Sequence, residues 1–411
     1  MRTMSCLLLM VAASTCVSFR ASADVIADWN EKTVTVVTNA KMTPPQAERV
    51  MAMAHVAMFD AVNAIDKRYR PYLVQPPAST MASREAAAAV AAGKVLIGLH
   101  PVADGELRET LTNYLAGIPD GQPKSDGVRI GETVAARVLE ERAEDGCAAP
   151  DAYRPKTKPG AYVPTPITVG SVWPKLKPFA MTSPAQFRPQ PPISLKSEQW
   201  AADYNEIMNF GSRASTQRSP RQTEDARFWL TPGPNIYYPI VRQLAAANKL
   251  DVIDSARFMA LVAVARSDAF IAIFDAKYFY EFWRPVTAIR NGDYDDNPTT
   301  AADATWLPLA DTPMHPEYPC AHCIMAASMA SVAESVFGTA NVPELTLTSP
   351  TAPGVTHRWT NLDAFVGEVS EARIWAGFHY RFSTRVGQEM GRKIGNYVVD
   401  NVMQPNTAAG R

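Results

Sequence analysis

The longest helical pattern in the chain runs from Val252 to Pro285, VIDSARFMALVAVARSDAFIAIFDAKYFYEFWRP. It is apolar over most of its length, so it reads as a central helix, or two joined end to end, stopped at Pro285. Other helices assemble around that expectation. Thr43-Pro44-Pro45-Gln46 combines a capping box with prolines in the first turn, ahead of the run ERVMAMAHVAMFDAVNAID. REAAAAVAAGKVLIGL and VRIGETVAARVLEERAED give two more, with small Ala and Gly side chains suited to close packing. Helical patterns resume at about 196–212 and 222–231. Further helices are expected to start near Pro319, near Asn361 and near Thr384. No alternating strand pattern of useful length stands out, and no internal repeat. The expected fold class is all-α, with helices packed in a bundle-like array.

Residues 148–195 break the helical rhythm. Prolines at 150, 155, 159, 164, 166, 174, 178, 184, 189, 191 and 192 are too closely spaced for a helix. An extended segment wrapping the surface is expected, held down by Tyr153, Tyr162, Trp173, Phe179 and Phe187. The organisation is therefore an N-terminal helical part over 24–147, the wrapping segment over 148–195, and a C-terminal helical part over 196–411. Residues 1–23 read as an export signal. Arg2 begins it, an apolar run from Cys6 to Phe19 follows, and Ala21-Ser22-Ala23 fits a cleavage site. That implies a periplasmic or secreted protein with no stable membrane span once the signal is removed. The signal takes Cys6 and Cys16 with it. Of the remaining cysteines, Cys320 and Cys323 are the nearest pair for the one bridge that an oxidising space permits. A formal net charge of -1 shows no basic excess of the kind nucleic-acid binders carry, so no nucleic-acid partner is expected.

Chemistry concentrates in three short segments of the last third: Lys277 to Pro285, Pro319 to His322, and Ala372 to His379. They supply Lys277, Arg284 and Arg373 as fixed cations and His322 and His379 as imidazoles, a set suited to a phosphate-shaped oxyanion. On a continuous helix Lys277 and Arg284 would share a face, about 10.5 Å apart along the axis. Ala321 and His322 open a helix, where free backbone N–H groups attract an anion. Arg373 and His379 can share a site only if the helix ends or bends between them, and Gly377 is the place for it. A tighter cluster, His315, Cys320, His322 and Cys323, holds zinc-type ligands at a spacing unlike common zinc ribbons. His55 and His100 fit structural roles. His357 and Arg358 either line a substrate entrance or sit in a solvated loop.

Lys277-x6-Arg284-Pro285, then Pro319-x-x-His322, then Arg373-x5-His379, resembles the signature of the superfamily that unites type 2 phosphatidic acid phosphatases and vanadium-dependent haloperoxidases. FWRPVTAIRNGD and the length of chain upstream of it are closer to the haloperoxidase-like branch. The resemblance implies that family's helical bundle. It implies that Lys277, Arg284 and Arg373, with the backbone N–H of Ala321, bind the oxyanion. His322 would be the acid–base residue, and His379 the vanadium ligand or, in a phosphatase, the nucleophile. The cofactor would be vanadate, with peroxide and halide as substrates. The alternative is an acid phosphatase that needs no cofactor and takes a phosphate ester. Structural zinc and a catalytically silent oxyanion-binding protein are the other readings. Cys320 and Ala321 replace the Ser and Gly of the family's Pro-Ser-Gly-His, and Ala372 replaces the Ser of its Ser-Arg. The neutral donors are thinned, and a free Cys320 thiol beside peroxide would be oxidised.

Overall fold

The computed structural model describes residues 24–164 and 167–406, so the export signal read over residues 1–23 lies outside the described residues. The described chain is predominantly helical. It begins with α1 (Val25–Asn39), α2 (Pro44–Asp66), α3 (Arg84–Leu99), α4 (Asp104–Ala116) and α5 (Gln122–Glu141). After the proline-rich stretch come α6 (Glu198–Phe210), α7 (Pro220–Phe228), α8 (Pro234–Ala247), α9 (Val252–Tyr280) and the short α10 (Pro285–Arg290). α11 (Ala321–Phe337), β1 (Asn341–Ser349), β2 (Ala352–Asn361), α12 (Leu362–Trp375) and α13 (Arg381–Asn401) complete it.

α9 is the axis of the molecule. It is buried around nearly its whole circumference, packed by α2 on one side and by α11 and α13 on the other. Its one buried arginine, Arg266, bonds Glu48 of α2 at 2.5 Å and the carbonyl of Met325 in α11 at 3.2 Å, so three helices are tied at one point. α13 lies close against α11 along Gly387, Gly391 and Gly395. A methyl group built on Gly395 would stand 2.6 Å from the carbonyl of Ser328. At α2 the side-chain oxygen of Gln46 accepts the N–H of Thr43 at 3.1 Å, the return bond of the expected capping box.

Residues within 148–195 pack against α9. The described part of this stretch carries no α-helix and runs through turns, bends and a 3-10 turn at Trp173–Lys175, and Tyr162, Trp173 and Phe179 are buried. The buried carboxylate of Asp268 on α9 accepts three successive N–H groups, from Phe179, Ala180 and Met181, at 2.6 to 2.7 Å.

Three expectations need correction. First, β1 and β2 form an antiparallel hairpin where no strand was expected. Second, His357 lies neither at an entrance nor in a solvated loop. It is a buried residue of β2, stacked on Phe228 at 3.9 Å, while Arg358 points outward and pairs with Glu344 at 2.5 Å. Third, the central helix stops before Pro285. Glu281 adopts a left-handed conformation (φ 51°), and residues 281–283 then pair with the wrapping segment. Tyr162 donates to the carbonyl of Glu281 at 2.7 Å and Trp283 to that of Gly160 at 3.0 Å. Proline disfavours helical geometry at the residue before it, and Arg284 is accordingly extended (φ −76°, ψ 153°).

Candidate active site

Lys277 and Arg284 therefore do not share a helical face, yet they still meet. Lys277 is fully buried in the last turn of α9, where its ammonium donates to the carbonyls of Pro316 at 2.9 Å and Glu317 at 2.6 Å. One of its three N–H donors remains free of those two bonds. Arg284 returns from the turn beyond. It donates through Nε to the carbonyl of His315 at 2.9 Å and through Nη1 to that of Phe378 at 3.0 Å. Its Nη1 also lies 3.3 Å from His379 Nε2.

Arg373 reaches the same region from the last turn of α12, anchored by Nη1 on the carbonyl of Trp229 at 2.5 Å. The chain bends beyond it as expected. α12 ends at Trp375, and Gly377 takes φ 80°. The bend is tightly walled, because a side chain at Gly377 would meet the carbonyl oxygen of Gly211 at 2.6 Å, and one at Gly211 would meet the Cα of Gly377 at 2.6 Å. His379 is thereby delivered between α12 and α13, 1% exposed. Its Nδ1 faces the carboxylate of Glu317 at 2.7 Å, and the same oxygen accepts the N–H of Tyr380 at 3.2 Å. With Glu317 ionised, Nδ1 carries the proton and the Nε2 lone pair points to the cations.

Ala321 and His322 form the first turn of α11, N-capped by Cys320. Cys320 is joined to Cys323 in a disulfide, so it has no S–H to donate and no free thiol to oxidise. The same bond overturns the zinc reading, since neither cysteine is free as a ligand. His315 stands instead beside Arg284, with Nδ1 3.0 Å from its Nη2.

These groups border a cavity of about 320 Å³ whose floor carries Arg373, Ala321, His322, His379 and His315. Its walls are mostly apolar, with Phe270, Phe274, Met325 and Phe378 among them. Lys277 and Arg284 stand behind that surface. The electrostatics are lopsided. Burial, then Arg284 and Arg373, hold the Lys277 ammonium well below its usual range. Burial lowers Arg284 to about 10 and Arg373 to about 9. Burial and the neighbouring cations keep His322 and His379 neutral, well below 6.5. The carboxyl of Glu317 is pushed up to about 7 by burial, against the pull of Lys277 and Arg284. Three buried cations with one carboxylate among them lack an anion. Arg373 Nε and His322 Nε2 are buried without hydrogen-bond partners. A tetrahedral oxyanion such as vanadate or phosphate fits this charge and these donors.

A family model described as "VCPO second helical-bundle domain" matches residues 257–407, a span that contains all five motif side chains. Vanadium chloroperoxidase of Curvularia inaequalis is 27% identical over 360 residues, covering 67% of this chain. The C-terminal part thus resembles the second helical-bundle domain of vanadium chloroperoxidases, and the similarity to the Curvularia protein extends over two thirds of this chain. The match spans 58% of the Curvularia protein's length. The fold is shared with solved vanadium-dependent haloperoxidases. The crystal structure described as the first bacterial vanadium-dependent iodoperoxidase superposes with a TM-score of 0.79 at 24% identity, over 93% of this chain and 97% of that one. A holo-type bacterial vanadium-dependent chloroperoxidase gives 0.68 at 17% identity, over 87% and 91%.

Among the described residues, Glu224, Asp225 and His357 also bring ligand-type atoms within 4.8 Å of one another. A carboxylate-rich set suits a cation rather than an oxyanion. Arg221 already pairs with both acids, at 2.9 Å each, and none of the three borders the cavity. The sequence reading missed Glu317 altogether and placed His315 only in a zinc set.

Proposed function

We propose that the protein is an exported vanadate-dependent haloperoxidase that uses peroxide to oxidise a halide. The observation that carries this reading is the excess of buried cations over their one carboxylate, Glu317, around Nε2 of His379. Lys277, Arg284 and Arg373 would hold the oxygens of vanadate, with the N–H of Ala321 as a further donor, and His379 Nε2 would bond the vanadium. Bound vanadate supplies Lewis-acid activation of peroxide, so that halide, peroxide and a proton give hypohalous acid and water. His322, neutral and with Nε2 unpartnered, is placed to accept a proton from entering peroxide and return it to the departing oxygen. Glu317 holds the imidazole of His379 in the tautomer that keeps Nε2 free.

The disulfide removes the objection that a free Cys320 thiol would be destroyed by peroxide, and it accords with an oxidising compartment. No described helix is long and apolar enough to cross a membrane.

The decisive experiment assays one preparation two ways. Halogenation of monochlorodimedone with vanadate, peroxide and bromide or iodide is expected. Hydrolysis of p-nitrophenyl phosphate without vanadate, and no halogenation with it, would assign the same residues to phosphatase chemistry through His379 instead.

A further inference from the structure

The resembled family places a serine hydroxyl where this chain has Cys320, whose sulfur is bonded to Cys323. A hydroxyl donor is therefore missing from that side of the oxyanion site. Among the residues bordering the cavity, one carries a side-chain hydroxyl: Tyr237. It sits in the first turn of α8, which starts against the cavity wall at Pro232 and Gly233.

Tyr237 is 1% exposed, and its Oη has no hydrogen-bond partner among the described residues. A buried hydroxyl left unpaired is a cost to the fold unless something else binds it. The ring cannot swing away to find another partner. The guanidinium of Arg266 covers one face at 4.1 Å, and Trp229 and Phe365 pack around it with ring centroids at 6.1 and 6.4 Å. Burial lifts the phenol to about 12, with Arg266 and Arg373 opposing, so the oxygen keeps its proton at any working pH. Arg373, whose Nε is also unpartnered, is thus an electrostatic neighbour.

We propose that Tyr237 donates its phenolic hydrogen to the oxyanion held by Lys277, Arg284 and Arg373, in place of the hydroxyl that Cys320 cannot offer. The assignment rests on the oxyanion-site reading above and adds a residue from an element outside the three motifs.

Tyr237→Phe removes one oxygen and keeps the ring. Orthovanadate and inorganic phosphate would be titrated calorimetrically into the full chain without its signal, parent and variant alike. Binding of both anions is expected to weaken roughly tenfold, the scale of one hydrogen bond to a charged group. The melting temperature without anion should stay level or rise, because an unpaired buried hydroxyl has been removed. Phosphate, which is transparent in the near ultraviolet, should perturb tyrosine absorption in the parent and not in the variant. Unchanged affinity in Tyr237→Phe, with the parent binding normally, overturns the Tyr237 assignment alone. A parent that binds neither anion overturns the assignment together with the reading beneath it.

Discussion

Glu317 Oε1 lies 2.7 Å from His379 Nδ1, and both side chains are shut off from solvent. A carboxylate that orients a ligating imidazole commonly governs affinity at its far nitrogen. Glu317→Ala should weaken orthovanadate binding by roughly 10- to 100-fold. Glu317→Gln can still accept the Nδ1 proton through its amide oxygen, so it should recover part of that loss. Equal, parent-like affinity in both variants would show that the contact orients nothing.

His379→Ala should abolish halogenation and phosphatase turnover alike. Vanadate affinity should collapse, because the nitrogen proposed to bond the vanadium is lost. Near-normal turnover in this variant would sink the assignment.

Arg284→Ala should lower turnover by on the order of 10²- to 10³-fold, about 3 kcal/mol, the loss seen for one preorganised donor in an oxyanion site. Lysine at this position should rescue little. Arg284 bonds two backbone carbonyls and His315 through separate nitrogens, and an ammonium cannot span them. If both variants match the parent in rate and anion affinity, the shared site is wrong.

The disulfide predicts a thiol count. Denatured without reductant, the chain lacking residues 1–23 should show one reactive thiol, Cys147, the free cysteine among the described residues. Activity should survive prolonged exposure to peroxide and bromide, with no oxidation product at Cys320 by mass spectrometry. Three reactive thiols would remove the bridge and restore the argument from oxidation.

His55 makes stability depend on pH. Its ring is fully buried against Asn30 at 2.8 Å, and burial, then Arg242, lowers it from 6.5 to about 3. The folded state therefore binds fewer protons than the unfolded one between those values. The stabilisation is present above about 6.5 and is lost as pH falls toward 3. Urea unfolding from pH 7.5 to 4.5 should show a steep decline in the parent and a shallower one in His55→Gln. Parallel declines would mean that other groups set the acid sensitivity.

Much of this was legible locally. The starts of α11, α12 and α13 at Ala321, Leu362 and Arg381 fall within a few residues of the expected positions, because capping residues and prolines act over a single turn. The five motif side chains could be named because each lies within a short segment of fixed spacing. Other features depend on partners far along the chain. Glu317 meets His379 across 62 positions, and a lone glutamate in sequence reads as a surface charge. The hairpin escaped because its inward positions mix Leu345 and Leu347 with Ser349 and His357, so hydrophobic alternation is too short to register. α8 carries Pro239 in its interior, a residue that ordinarily argues against a helix. The helical face assumed for Lys277 and Arg284 failed because the wrapping segment captures residues 281–283, a competition that no local window contains.

Gly211 and Gly377 stand nose to nose where α6 ends and the path to His379 begins. Each forbids a side chain on the other, so substitution at either alone should push the His379 loop off its course. In any relative that carries a larger residue at one of these positions, the opposing backbone must have retreated. The two sites can then drift only together, and a mutational scan should find that no second change at a distance restores what the first has cost.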